Sequence, residues 1–210
     1  MTVKAKICGI TNLEDAKAAV DSGADMLGFV FYKKSPRFIA PEKALKIIDK
    51  LPDAVEKVAV FVDEAETNVK DIISRVAGGV DILQFHGSET ADYCRKFDKK
   101  IIKVARIKDK NSIDGFESYK VDFFLLDSFK EGAFGGTGKN FDWKLANDFK
   151  KLYNVPVILS GGLTCSNVKE AIEKVRPYAI DVSSGVEAYP GKKDARLVKE
   201  FIKKVKEVPR

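Results

Sequence analysis

At 210 residues, 45% of them hydrophobic and 32% charged, the chain has the size and composition of one globular α/β domain spanning residues 1–210, and not of a disordered or fibrous protein. No apolar run approaches the roughly 18 residues of a spanning helix, and Met1-Thr2-Val3-Lys4-Ala5-Lys6 leads into a strand pattern without a signal-peptide core, so a cytoplasmic protein with no membrane partner is expected. Lysine and arginine exceed the acidic residues by 37 to 31, a net charge of +6 that suits a small anionic partner such as a phosphorylated metabolite; the signs are interspersed, which argues against a nucleic-acid face.

The elements follow in a steady alternation. Short runs rich in Val, Ile, Leu and Phe predict strands at Val3–Cys8, Met26–Phe31, Val58–Val62, Ile82–Phe85, Ile101–Ala105, Phe123–Leu126, Val157–Leu159 and Ala179–Val182. Between them, Thr11-Asn12-Leu13-Glu14 reads as a capping box before Ala16–Val20, and Pro41-Glu42 opens a helix over Lys43–Leu51. Further helices are expected at Thr67–Val76, Glu89–Phe97, Lys108–Lys120, Trp143–Leu152, Asn167–Val175 and Ala195–Val205, with Gly23, Gly78 and Gly79 as stops. Eight strand–helix repeats without a composition break predict a (βα)8 TIM barrel of eight parallel strands, with an open doubly wound sheet as the alternative. Gly9 lacks the partners of a dinucleotide fingerprint.

In such a barrel the chemistry sits at the C-terminal ends of the strands. Cys8 ends the first, as either a reagent or a buried small hydrophobe; Asp127 ends the sixth, held at the edge of Phe123-Phe124-Leu125-Leu126, as either a general acid or a salt-bridged aspartate. Gly161-Gly162 and Ser183-Ser184-Gly185 follow strands seven and eight, where glycine turns let backbone N–H groups close on a phosphate. Arg37, after Ser35-Pro36, suits bidentate carboxylate recognition or a rim ion pair. His86, the only histidine, is a substrate contact or a satisfied neighbour, and Asp181 either enters the site or pairs within the barrel. Cys94 and Cys165 are read as structural, and three cysteines with one histidine show no metal-ligand spacing.

These motifs, in this order, resemble the phosphoribosylanthranilate isomerase family over nearly the whole chain. They are Lys6-Ile7-Cys8-Gly9-Ile10-Thr11, Gly28-Phe29-Val30-Phe31 with Ser35-Pro36-Arg37, Gln84-Phe85-His86-Gly87, Leu126-Asp127, Gly135-Gly136-Thr137-Gly138-Lys139 with Phe141-Asp142-Trp143, Ser160-Gly161-Gly162-Leu163, and Asp181 to Glu187 with Pro190-Gly191-Lys192-Lys193-Asp194. The resemblance implies a cofactor-free Amadori rearrangement of N-(5-phosphoribosyl)anthranilate in tryptophan biosynthesis, by a monomer or homodimer. It puts the general base on Cys8, the general acid on Asp127 and the contact to the anthranilate carboxylate on Arg37. Cys165 departs from the family, which often has proline there. The aminoaldose isomerase of histidine synthesis, which uses two aspartates, is the rival enzyme, and a non-catalytic phosphometabolite binder would have no use for both Cys8 and Asp127. A thiol ordinarily ionises near pH 8.5, so Cys8 needs a cation nearby; strand alternation puts Lys6 on its side. Asp127 conversely must hold its proton, which calls for burial or a neighbouring anion.

Overall fold

A computed structural model describes residues 2–77, 79–128 and 142–209. Gly78, Phe141 and the Gly135-to-Lys139 motif lie outside the described residues. Eight strands hydrogen-bond in sequence order and close on themselves, every neighbour parallel: β1 (Lys4–Cys8), β2 (Met26–Val30), β3 (Glu56–Phe61), β4 (Ile82–Phe85), β5 (Lys100–Ile107), β6 (Phe123–Ser128), β7 (Val157–Leu159) and β8 (Ala179–Val182). The expected closed barrel is the one observed, and the open sheet is excluded. The strand bounds shift by a residue or two, and β6 runs on to Ser128, so Asp127 is held within a strand.

Side-chain alternation divides each strand between two cores. One set of side chains, including Ile7, Phe29, Phe61, Phe85, Phe124 and Ile180, faces outward under the helices. The other fills the lumen: Cys8, Met26, Val30, Val58, Val60, Ile82, Ile102, Val104, Phe123, Leu125, Ile158 and Ala179. Covering the outside are α1 (Leu13–Asp21), α2 (Pro41–Ile48), α3 (Glu66–Arg75), the single turn α4 (Ala91–Cys94), α5 (Trp143–Leu152), α6 (Val168–Val175) and α7 (Ala195–Glu207). A small hairpin, β9 (Glu187–Tyr189) with β10 (Lys192–Lys193), follows β8.

Three helix expectations are corrected. The cap of α1 is Asn12, whose side chain accepts from the Asp15 N–H at 2.9 Å, because Thr11 donates instead to the Gly191 carbonyl. Only a 3-10 turn, Lys110–Ile113, forms within 108–120; Asp109 and Ser112 close a capping box on it, and Gly115 then takes a left-handed φ of 88°. The helix expected over Glu89–Phe97 is confined to α4, capped by Thr90, because the Glu89 carboxylate accepts from the N–H groups of Asp63 and Gly87.

Candidate active site

Reading the inward positions upward along each strand, the lumen changes character. The lower layers are almost wholly apolar, while the uppermost inward residues are Cys8, Gln84, Asp127, Ser160 and Asp181. Together with Val30, Tyr32, Ser35, Arg37, Val60, Val62, His86 and Ser183 they line a cavity of about 550 Å³, open mouth included, at the C-terminal end of the barrel. Six elements or loops thus contribute polar groups to one space. Cys8, Arg37, His86, Asp127, Asp181 and Ser183 meet there, as the sequence suggested. Gly161, Gly162, Ser184 and Gly185 do not line this cavity but form the neighbouring turns.

Glycine makes two of these approaches possible. A Cβ on Gly28 would stand 2.7 Å from the Cys8 sulfur, so the bare backbone of β2 is what leaves the thiol its place. Gly161, at φ +86°, would meet the Ser128 nitrogen at 2.6 Å and Asp127 Oδ1 at 3.0 Å, which lets the turn after β7 close on the acid.

On the β1–β8 side, the Lys6 ammonium is fully buried and donates to Asp181 Oδ1 at 2.6 Å; Asp181 Oδ2 accepts from the Ser160 hydroxyl at 3.1 Å. Asp181 therefore does both things left open by the sequence: it lines the cavity and it pairs within the barrel. Burial pushes the Cys8 thiol up; Lys6 pulls it back, Asp181 opposes Lys6, Lys193 helps it, and the outcome lies above the ordinary thiol value. The cationic help that Cys8 was expected to need is present, but burial outweighs it. Burial also disfavours the Lys6 charge, yet Asp181 and Cys8 together hold it above its ordinary range.

On the β4–β6 side, Asp127 Oδ1 accepts from the Ser128 N–H at 2.8 Å, and Oδ2 lies 3.2 Å from His86 Nε2. His86 Nδ1 lies 3.2 Å from Gln84 Nε2, so histidine bridges the acid to a buried amide. Arg37 approaches from the loop after β2, and its fork is engaged: Nε and Nη2 donate to the two Glu187 oxygens at 2.8 and 2.7 Å. The rim ion pair is real, and among the described residues Nη1 is the guanidinium nitrogen without a partner. Glu187 also accepts from Lys193 at 2.9 Å. Burial raises the Glu187 carboxyl, but the bonds from Arg37 and Lys193 prevail and hold it below the ordinary carboxylate range. Lys193 in turn donates to the Ser183 carbonyl at 3.1 Å, and Ser183 Oγ to the Cys8 carbonyl at 3.0 Å. Burial brings Lys193 below its ordinary value despite Glu187.

Glu187 and Lys193 were not foreseen as site residues; their only signal was membership of the motif that follows β8, since the hairpin's return to the rim leaves no local pattern. Cys94 is buried under the barrel, and Cys165 donates to the Leu197 carbonyl at 3.5 Å, both outside the cavity. Among the described residues no group of three His, Cys, Asp or Glu side chains is placed to hold a metal.

The model of the N-(5'-phosphoribosyl)anthranilate (PRA) isomerase family matches residues 5–204. The chain belongs to this family. It is 48% identical over 205 residues, 98% of each chain, to the N-(5'-phosphoribosyl)anthranilate isomerase of Trichlorobacter lovleyi. The crystal structure of the Thermotoga maritima isomerase, an enzyme described elsewhere as dimeric, superposes with a TM-score of 0.90 at 43% identity, covering 98% of this chain and 100% of that one. A second structure, of the isomerase in complex with reduced 1-(o-carboxyphenylamino)-1-deoxyribulose 5-phosphate, gives 0.86 at 42% identity, again covering 98% and 100%. The chain is accordingly an isomerase of tryptophan biosynthesis.

Proposed function

We propose that this isomerase converts N-(5-phosphoribosyl)anthranilate to 1-(2-carboxyphenylamino)-1-deoxyribulose 5-phosphate by general acid–base catalysis, with Asp127 as acid and Cys8 as base. The observation that carries the reading is that these two groups, from β6 and β1, line one cavity at the C-terminal end of the barrel. Asp127 gives its proton to the furanose ring oxygen; the C1'–O bond breaks and the anthranilate nitrogen's lone pair forms the Schiff base. The Cys8 thiolate then takes the C2' proton, the C2'–H electron pair quenches the iminium, and the resulting enolamine tautomerises to the ketone. Atoms and electrons balance without an added oxidant or cofactor.

Arg37 meets the anthranilate carboxylate through Nη1, its other edge being fixed by Glu187. The phosphate lies at the Gly161-Gly162 and Ser183-Ser184-Gly185 turns, whose two loops pack so closely that a Cβ on Gly185 would strike the Leu163 carbonyl. His86 orients Asp127, and Asp181 acts below Cys8. The partner is thus a small phosphorylated metabolite and not a nucleic acid. The chain works as one domain, 1–210, in the cytoplasm, as a monomer or homodimer; among the described residues no helix is long and apolar enough to cross a membrane.

Fluorescence of the anthranilate group follows substrate consumption. Cys8→Ser and Asp127→Asn are each expected to lower kcat by roughly 100-fold or more with product-analogue affinity kept within about tenfold, and Arg37→Ala to raise KM by about tenfold. Near-normal turnover in either of the first two overturns the role given to that residue.

A further inference from the structure

Lys6 is a fully buried charged side chain on the inward face of β1. It stands two residues before Cys8 on the same face of β1, opposite Asp181 in the β1–β8 register, and its side chain has no exposure at all. A buried ion pair adds little stability over apolar residues of similar volume, because desolvating two charges offsets most of their attraction. Leucine-like packing, as at Met26 and Ile82 in the same lumen, would serve the core as well. What distinguishes this pair is its third neighbour, a thiol that can ionise.

We propose that Lys6 is a positioning residue of the reaction: its fixed ammonium is the charge against which Cys8 ionises, and Asp181 sets how much of that charge the thiol feels. The inference rests on Cys8 as the base. Asp181 divides Lys6 between two anions. Its Oδ1 accepts from Lys6 at 2.6 Å, while its second oxygen accepts from Ser160 at 3.1 Å. When Cys8 loses its proton through the cavity mouth, the new thiolate meets a cation that cannot move, since Lys6 is enclosed and tethered. No reorganisation is then required of it as charge develops.

The groups facing Cys8 are few. Lys6 lies on β1 and Asp181 on β8; Lys193, from β10, reaches the same space behind Ser183; Arg37 packs over Gly9, beside Cys8, with its fork on Glu187; His86 and Asp127 come from the β4 and β6 side. Lys193 is already bonded to Glu187 and the Ser183 carbonyl, whereas Lys6 has one carboxylate. Lys6 and Asp181 must therefore act on the thiol with opposite sign, which no merely structural role of the pair would produce.

The test is the pH dependence of Cys8 alkylation by iodoacetamide, a neutral reagent, read by mass spectrometry of the Cys8 peptide so that Cys94 and Cys165 do not interfere. In the full-length protein, Lys6→Met is expected to raise the pH midpoint by about one unit or more, the scale of an opposite charge at short range, and Asp181→Asn to lower it. The alkaline limb of kcat/KM moves with the midpoint. Where Lys6→Met does not fold, Asp181→Asn is compared with the neutral Lys6→Met/Asp181→Asn pair, and adding the lysine change must raise the midpoint. A midpoint that rises or stays in Asp181→Asn, or that is indifferent to Lys6 in that background, overturns the proposal. Alkylation shifts as expected with an unmoved kcat/KM limb would show that Lys6 tunes the thiol but would reject Cys8 as the base, and with it a role of Lys6 in the reaction.

Discussion

Of the buried lysine–carboxylate pairs among the described residues, two have nearly the same geometry: Lys6–Asp181 at 2.6 Å and Lys103–Glu89 at 2.8 Å. Their surroundings differ. Lys103 lies on the outward face of β5, between Ile102 and Val104, and its ammonium also donates to the Gly87 carbonyl at 2.7 Å. Glu89 accepts from the N–H groups of Asp63 and Gly87, so the pair pins the loops after β3 and β4 to β5. Every hydrogen-bond partner there is backbone or the other ion, and the thiol within their field, Cys94, is buried outside the cavity. Lys6, by contrast, faces a lumen that ends in a thiol. A buried charge is a clip where the backbone consumes it, and a reagent's neighbour where a titratable group is left within its field.

The largest effect separating the two pairs is on stability. Lys103→Met leaves Glu89 buried with its charge uncompensated and releases two loops, so urea denaturation should show a loss of about 3–5 kcal/mol. The molecules that remain folded should keep kcat within about twofold. A loss below about 1 kcal/mol would mean that the β3–β5 loops do not depend on the clip, and the contrast would collapse.

The next effect is on rate and is read against pH. Because burial places the Cys8 thiol above its ordinary value, its base form appears only as pH rises through that raised value. In the free enzyme the rate of Cys8 alkylation should therefore climb with pH along a limb centred above the ordinary thiol value, and the Asp181→Asn variant should reach its plateau earlier. A plateau already complete at pH 7 would require a cation stronger than the two lysines seen around Cys8.

The sequence carried the barrel well because parallel strands buried on both sides print short runs rich in Val, Ile, Leu and Phe, and Ile82–Phe85, Val157–Leu159 and Ala179–Val182 were placed to the residue. It carried helix ends less well. Glu89 has a helix former's side chain, but Gly87 beside it and Asp63 and Lys103, farther along the chain, claimed it first. Cys8, Asp127, Arg37, His86 and Asp181 were legible as strand-end residues, since a parallel barrel delivers those positions to one face. That Arg37 spends half of its fork on Glu187 was not legible, for that contact crosses 150 residues of chain and depends on a hairpin with no core of its own.

A third ion cluster lies wholly at the surface and bounds the comparison from below. Glu66, at the start of α3, accepts from Lys70 at 2.6 Å and Lys96 at 2.9 Å, and these two bonds bring its carboxyl down to about 2. A carboxyl lowered in the folded state stabilises above its unfolded value near 4.5 and loses that contribution as pH falls toward 2. Water and salt screen this exposed group, however, and its long lysine partners lose side-chain freedom to reach it. Glu66→Gln should accordingly change Tm by about one degree or less at pH 7, and the difference should vanish both at pH 2 and in molar salt. A change as large as that of Lys103→Met would show that bond count, and not burial, governs what an ion pair is worth in this fold.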